Sequence, residues 1–571
     1  MLLPFWLSNY KRSDFKPDLI AGLTVGVMLI PQAMAYAMLA GLPPIYGLYA
    51  STVPLIIYSF FGTSRHLSVG PVAIDPILIV AGLSAFAIIG SEDYINMAIT
   101  LALMVGLIQF GLGVLKLGFL VNFLSHPVIA GFTSAAAIII GLSQLGNLLD
   151  INISNHQYLH EIIGSILSEA GNIHWLTFMI GAIGIAFLLL FNRFLPGFPA
   201  ALCMLVISIG IVSIFHLDVL GVKIIGDVPG GLPLPGLPSF DFATYKNLLP
   251  TAFALALLSF MESMAIARTI QAKHKDYKII PNKELIALGL ANTFGSFFKG
   301  FPVSGGFSRS MLNEQSGART NLSSIISACM IIMTLLFLTP LFYYLPKVIL
   351  ASIIIVAVSR LINLKEAKHL WRVDWKDFLM MLVTFLGTLF LGIGAGIGIG
   401  VGLSLAWIIF EASYPHYAEL GRIPGTQTFR NIKRYKELVI EDDILIFRFD
   451  APLFFANIDR FRELLMSYKS SRKGAIKAIV IDMESNTSVD SSALVVLSDL
   501  LTELEKDNVK LLFTDIKGPV RDKFHKSGLT QKIGESNFFM TIEDALNYLS
   551  GTQRESDPGW ILQTNAGKKK K

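Results

Sequence analysis

Charge is scarce in this chain. Only 15% of its 571 residues are Asp, Glu, Lys or Arg, where an ordinary soluble domain carries about 25%. Cysteine is scarcer still: there are two, Cys203 and Cys329. Each sits inside an apolar run and reads as a small packing residue of a helix, which excludes a disulfide framework or a cysteine metal cluster. No nucleophile–base pair and no cluster of metal ligands stands out, so no catalytic residue, resident cofactor or metal is expected, and a membrane enzyme is the least favoured class. The formal net charge of +5 fits cytoplasmic loops better than a nucleic-acid partner, and Lys568–Lys571 reads as a solvated tail. No cleavable signal is expected, because the apolar segment after Lys11, Arg12 and Lys16 is long and others follow it.

What the chain has in excess is apolar surface, at 53% of its residues, with a mean hydropathy of +0.60. A soluble fold would have to expose large apolar patches; a lipid bilayer removes that difficulty. A spanning helix needs about 20 apolar residues, because hydrocarbon cannot satisfy a bare backbone. Fourteen segments qualify, near 19–40, 45–61, 70–90, 94–115, 119–146, 174–193, 197–215, 248–270, 283–299, 304–317, 321–344, 346–362, 375–393 and 395–415. The third and tenth are short, polar or broken. Basic residues collect in cytoplasmic loops. With Lys11 and Lys16 inside, the inner loops hold Arg65, Lys116, Arg193, the Lys273–Lys283 cluster, Arg319 and the Lys365–Lys376 cluster. The outer loops hold Glu92 with Asp93, Asp150 with Glu161, and Asp218 with Asp227 and Asp241, with Lys223, Lys246, Lys299 and Lys347 as minor exceptions to the pattern. Both termini are therefore expected in the cytoplasm of a multi-pass protein of the cell membrane.

Fourteen spans divide into two sevens. The third opens on Ser68-Val69-Gly70-Pro71, and seven spans later the tenth opens on Phe301-Pro302-Val303-Ser304-Gly305-Gly306. Paired Gly/Pro breaks at matching places in two halves point to a transport site, and an odd number of spans per half makes the repeats inverted. Two simple kinks would give the same spacing. The glycine run Gly392–Gly400 lies inside an apolar span and reads as close helix packing rather than a nucleotide loop.

After Arg422 charge becomes dense and the pattern changes. Strands are expected at 444–449, 478–482 and 510–513, with helices at 457–466 and 492–504, which makes a small α/β domain. The expected division is a transport domain at 1–420, a linker at 421–436, the α/β domain at 437–550 and a disordered tail at 551–571.

An anion inside a membrane needs partial positive charge without an unbalanced cation, and two half-helix N-termini facing each other supply it. Three ionisable residues fall within spans: Asp75 and Arg309, just past the two breaks, and Glu262 in the eighth span. Such residues are costly in lipid and should face a cavity or a partner. Glu262 is expected to pair with Arg309 and to exchange a proton when an anion competes for the guanidinium; a fixed structural ion pair is the other reading. Asp75 is either a second proton or cation site or a carboxylate bonded to free N–H groups of its own helix. Gln32 and Tyr36 lie four apart and share one face, which suits either an oxyanion or interhelical packing. Ser492, in Asp490-Ser491-Ser492-Ala493, is read first as a helix cap and second as a phosphorylation site.

These residues resemble the SulP sulfate permease family over nearly the whole chain. The matching stretches are AGLTVGVMLIPQAMAYAMLAGLPPIYGLYAS from Ala21, SVGPVA from Ser68, FLSHPVIAGF from Phe123, and the region from Glu262 to Thr320. The tail resembles a STAS domain, with VDSSA from Val489. The resemblance implies an all-α membrane domain of two inverted seven-span repeats, with spans one to four and eight to eleven as core and the other six as gate, followed by a cytoplasmic STAS domain. It implies alternating access, often in a homodimer, with a protein partner at the STAS domain. It implies a substrate site at Gln32, Tyr36, Pro71, Val72, Ala73, Gly305, Gly306, Phe307, Ser308 and Arg309. Glu262 matches the acidic position of proton-coupled sulfate members, and Ser492 the position phosphorylated in some STAS proteins, although Ala493 stands where a glycine is expected.

The expected function is secondary active transport of a small inorganic anion, sulfate, by proton symport. The alternatives are a bicarbonate or dicarboxylate carrier, with sodium as a possible coupling ion, and an uncoupled anion channel or exchanger.

Overall fold

The computed structural model describes residues 6–7, 10–119, 125–151, 159–194, 199–238, 241–274, 277–359, 361–472 and 475–551. The chain forms two compact units, divided between Ser404 and Leu405. The tail from residue 552 onward, Lys568–Lys571 included, lies outside the described residues, as do the first two residues of the Phe123 stretch.

The first unit is helical. Its first half runs α1 (Phe15–Leu39), α2 (Pro44–Tyr49), α3 (Val53–Phe61), strand β1 (Val69–Gly70), α4 (Asp75–Leu83), α5 (Glu92–Val114), α6 (His126–Ser143), α7 (Leu145–Leu149), α8 (Leu159–Ser168), α9 (Trp175–Phe194) and α10 (Ala200–Phe215). The second half runs α11 (Phe242–Gln271), α12 (Pro281–Phe297), strand β2 (Ser304–Gly305), α13 (Phe307–Gln315), α14 (Leu322–Met333), α15 (Lys347–Ser359), α16 (Leu364–Val373), α17 (Trp375–Leu391) and α18 (Ile393–Ser413). Each of the fourteen expected segments contains helix. Among the described residues, seven helical stretches are long and apolar enough by themselves to cross a membrane, and several shorter apolar helices accompany them.

The two breaks become the same structure twice: a two-residue strand followed by a nine-residue helix, α4 or α13. β1 and β2 pair antiparallel, Val69 opposite Gly305 and Gly70 opposite Ser304. The two half-helices thus start beside one another. Amphipathic α8 and α16 were not anticipated; they follow the fifth and twelfth spans, seven apart, and repeat the same symmetry.

Packing sorts the helices into two groups. α5 lies against α11 and α12, α3 against α12, and α1 against α13 and α14, which joins the first four spans to the eighth through eleventh. In the other group α6 packs on α17 and α15, and α9 on α15 and α10, and α1 meets this group at α15 and α10. Small residues allow the closest approaches. A Cβ on Gly289 of α12 would lie 2.8 Å from the Gly106 carbonyl oxygen of α5. In the glycine run, Gly396 and Gly400 press on Thr388 and Thr384 of α17, whereas Gly398 and Gly402 face open space. Close packing therefore accounts for one face of that run.

The second unit holds a six-stranded sheet ordered β4-β3-β5-β6-β7-β8, built from β3 (Tyr417–Arg422), β4 (Phe429–Asn431), β5 (Ile444–Phe449), β6 (Ala478–Asp482), β7 (Lys510–Thr514) and β8 (Phe538–Phe539). β5 through β8 are parallel and β3 and β4 antiparallel. The helices are α19 (Ile458–Ser471), α20 (Ser491–Lys506), α21 (Gly518–Lys526), α22 (Leu529–Ile533) and α23 (Ile542–Leu549). Because both sheet faces are covered, the central strands read as unbroken apolar runs. Residues 421–436, expected as a linker, hold the end of β3 and all of β4, hydrogen-bonded into the sheet. Arg430, Lys433, Arg434 and Lys436 are exposed, whereas Arg422 is half-buried in an ion pair with Glu543 and Phe429 is buried, and a two-sided pattern that short does not stand out from a loop.

Candidate functional site

The antiparallel pairing of β1 and β2 sets the start of α4 against the start of α13. Neither helix has a side-chain cap at its N-terminus. In α13 the first intrahelical bond is donated by Ser310 N to the Gly306 carbonyl, and Gly306 N donates to the Ser68 carbonyl, so the N–H groups of Phe307, Ser308 and Arg309 have no partner within the helix, as at any helix start. Partial positive charge therefore gathers between the two breaks.

Arg309, 2% exposed, stands in the first turn of α13. Its Nη1 donates to the Pro71 carbonyl at 2.7 Å, bridging the two breaks. Its Nε and Nη2 are buried without a hydrogen-bond partner. A buried guanidinium with unused donors is costly unless a ligand or water completes it. Gly306 is required by close approach: a Cβ there would lie 2.6 Å from the guanidinium carbon. Gly70 lies on the opposite side of the same group, where a Cβ would come within 3.3 Å of Nη2.

Glu262 projects from α11, and its Oε2 is buried without a partner. It does not form the expected ion pair with Arg309. The guanidinium is drawn to Pro71 instead, and the two charges act on each other through space. Asp75, the first residue of α4, is fully buried. Neither of its oxygens has a well-formed hydrogen bond, and the facing hydroxyl of Ser304 is likewise unpartnered. The reading of Asp75 as a carboxylate bonded to its own helix start is thus not what the structure contains.

Gln32 and Tyr36 share a buried face of α1, and Tyr36 is an electrostatic neighbour of Arg309. Pro71 and Val72 are buried beside them and Ala73 is half-buried; Gly305 and Gly306 are buried. Phe307, 55% exposed, and Ser308 face open space at the start of α13. Of the named residues, Tyr36, Pro71 and Gly306 stand against the Arg309 guanidinium.

A polar scaffold that the spacing did not single out holds the breaks. Asn292 on α12 accepts from Val303 N at 2.8 Å and donates to the Val303 carbonyl at 3.0 Å and to Gln109 at 3.1 Å. Gln109 donates to Ser259 at 2.8 Å. Ser263, one turn along α11, accepts from Gly305 N at 2.8 Å. Ser310 accepts from Ser68 N, and Asn313 donates to the His66 carbonyl. At the end of α3, Glu284 accepts from Tyr58, Thr63 N and Ser64 N. Asp18 holds Arg319 N and Thr320 N in the same way. The available signal was a polar residue inside an apolar span; isolated Asn, Gln and Ser do not say what they hold.

In the second unit Ser492 is exposed, and the cap of α20 is Asp490, which accepts from Ala493 N at 2.8 Å. The helix starts one residue earlier than expected, so Ser492 falls within its first turn and caps nothing.

A model of the sulfate permease family matches residues 15–384, and one of the STAS domain matches residues 435–545. The Arabidopsis thaliana protein named sulfate transporter 4.1, chloroplastic, is 41% identical over 561 residues, which cover 95% of this chain and 81% of that protein. High affinity sulfate transporter 2 of Stylosanthes hamata is 35% identical over 565 residues, 95% of this chain and 85% of that protein. Among solved structures, the murine Slc26a9 anion transporter in the inward-facing state aligns with a TM-score of 0.89 at 26% identity, covering 96% of this chain and 94% of that one. The transmembrane domain of a cyanobacterial bicarbonate transporter, BicA, aligns with a TM-score of 0.59 at 25% identity, covering 70% of this chain and 98% of that one.

Proposed function

This chain belongs to the sulfate permease family, a family of membrane anion transporters, and on that premise we propose that it carries sulfate by proton-coupled symport. The observation that carries this reading is the buried Arg309, with two unused donor nitrogens between two uncapped helix starts, beside the carboxyl of Glu262. Sulfate is a dianion with acceptors on every side. It takes the open N–H groups of both half-helices and the free edge of Arg309 at once. While the site is empty, the guanidinium balances the Glu262 carboxylate. When sulfate occupies the guanidinium, that balance is lost and Glu262 takes a proton. The proton and the anion then move together.

The group containing α1–α5 and α11–α14 carries the site, and the group containing α6, α9, α10, α15 and α17 provides the surface against which it moves. Alternating exposure of the site to the two sides follows from rocking of one group against the other. The loop-charge pattern supports a cell-membrane orientation with both termini in the cytoplasm. A homodimer and a protein partner for the STAS domain are part of the same reading. Ser492 is its regulatory position, since a phosphate in the first turn of α20 meets a helix N-terminus.

The test is uptake of labelled sulfate into proteoliposomes under an imposed pH gradient, for the wild type and Glu262→Gln. Wild type accumulates sulfate with the gradient, without sodium. With Glu262→Gln, accumulation at a one-unit gradient falls by at least about tenfold, the equivalent of one proton per unit. Full pH-driven accumulation by the variant removes Glu262 from coupling. Uptake that ignores pH and follows sodium, or stronger competition by bicarbonate or a dicarboxylate than by sulfate itself, rejects the reading.

A further inference from the structure

The site holds two carboxyl groups for one guanidinium, and the second has no task in the cycle just described. Asp75 is fully buried at the first position of α4. Both its oxygens, Glu262 Oε2, Ser304 Oγ and two nitrogens of Arg309 are all buried without hydrogen-bond partners. Asp75, Glu262 and Arg309 lie close enough for each carboxyl to feel the other charges.

Among the described residues, the elements packed around Asp75 offer no further buried cation. The elements packed on α4 are α1, α5 and α11, with β2 and α13 across the break. From α1 comes Tyr36; Asp18, at the far end of that helix, is bonded to Arg319 N and Thr320 N. From α11 comes Glu262, while Lys246 and Arg268 are exposed near its ends. The titratable residues of α5, Glu92, Asp93 and Tyr94, all sit in its first turn, and Tyr94 is bonded to the Ala40 carbonyl. From α13 comes Arg309, while Glu314 is held by Lys273 and His274.

We propose that Asp75 is a second proton-carrying residue, so that each sulfate moves with two protons, one on Glu262 and one on Asp75. The inference rests on the symport reading above. It follows from counting charge. With sulfate bound, both carboxyls protonated and Arg309 charged, the site carries one net negative charge. With sulfate gone and both carboxyls ionised, it again carries one. The loaded and the empty carrier therefore cross the same electrostatic barrier, and the cargo of two protons and a dianion is neutral. With one proton alone, the loaded site would carry a second uncompensated charge, which a low-dielectric interior opposes.

The experiment is static-head accumulation of labelled sulfate by the full chain in proteoliposomes, with the membrane potential clamped to zero and the pH gradient varied. Two coupled protons give about 100-fold accumulation per pH unit, and one gives about tenfold. The wild type is expected at the first value, with no dependence on membrane potential. Asp75→Asn is expected at the second, and its transport becomes sensitive to potential. Asp75→Glu, which restores a carboxyl, returns toward the wild-type slope. Because the amide mimics the protonated acid of the loaded carrier, Asp75→Asn keeps sulfate–sulfate exchange at equal pH, and that exchange also reports that it has folded.

A tenfold slope in the wild type, or an unchanged 100-fold slope in Asp75→Asn, overturns the role of Asp75 and leaves one-proton symport standing. Loss of exchange in Asp75→Asn, with Asp75→Glu active, also overturns it. A wild type whose internal sulfate stays at the external level whatever the pH gradient overturns the symport reading itself, and the inference with it.

Discussion

At the scale of single residues, the account turns on the space around one guanidinium. Gly306→Ala places a methyl group against Arg309, where a Cβ would meet the guanidinium carbon at 2.6 Å. The side chain must leave the Pro71 carbonyl or the break must open. Sulfate uptake is expected to fall more than about tenfold, the equivalent of one charge-assisted hydrogen bond. Any fall in melting temperature in detergent comes from that clash and not from the backbone, because Gly306 has φ −92° and accepts a side chain without strain. Uptake and thermal unfolding on the same preparation check this. In the second unit, burial first and the nearby Asp482 and Glu484 next push the Asp515 carboxyl up to about 6. An acid raised above its unfolded value of 3.8 favours the folded state while protonated in it. That contribution is present below pH about 4 and is lost as pH rises toward 6. Asp515→Asn should flatten this part of the stability–pH curve, read by denaturant unfolding of the C-terminal unit's signal; an unchanged slope contradicts the assignment.

At the scale of elements, the breaks are held by side chains from neighbouring helices rather than by their own sequence. Asn292 satisfies both the N–H and the carbonyl of Val303, next to β2. Asn292→Ala leaves both groups buried and unpaired, at about 1–3 kcal/mol each. It should lower the melting temperature and weaken sulfate binding together, measured by thermal unfolding and radioligand titration. Loss of binding with no loss of stability would contradict a scaffold role. This scale also shows what was legible in the sequence. The breaks at Gly70-Pro71 and Gly305-Gly306 were, because Gly and Pro interrupt an apolar run visibly. The strands 444–449 and 478–482 were, because a buried parallel strand is one apolar block bounded by charge. The bond between Asn292 and Val303 was not, since a lone Asn in a span announces a partner without naming it. The Glu262–Arg309 ion pair was a fair inference from opposite charges in one membrane, but the Pro71 carbonyl competes for the guanidinium, and only the fold reveals that competitor. Asp490 displaced Ser492 as the cap of α20 for a similar local reason: both can accept from a helix N–H, and the helix began one residue early.

At the scale of the whole molecule, the repeat makes two predictions about sidedness. Single cysteines at Lys11 and Arg372, in a background lacking Cys203 and Cys329, should react with an impermeant maleimide from the same side of the membrane. A cysteine at Glu161 should react from the other. Arg372 labelled with Glu161 would mean an odd number of crossings before α16 and break the two-sevens arrangement. Composition alone established the bilayer, and the shift in charge after Arg422 located the second unit, though not its first two strands, β3 and β4. The anion site required both halves to meet, and no local stretch contains it. The measurement that bears most directly on that site is the position of bound selenate, a heavier sulfate analogue, located by its anomalous scattering in crystals of the full chain. A selenium peak is expected between the starts of α4 and α13, within hydrogen-bonding reach of Arg309 and absent from Arg309→Ala crystals. A peak elsewhere in transport-competent protein, with the space beside Arg309 empty, would contradict it.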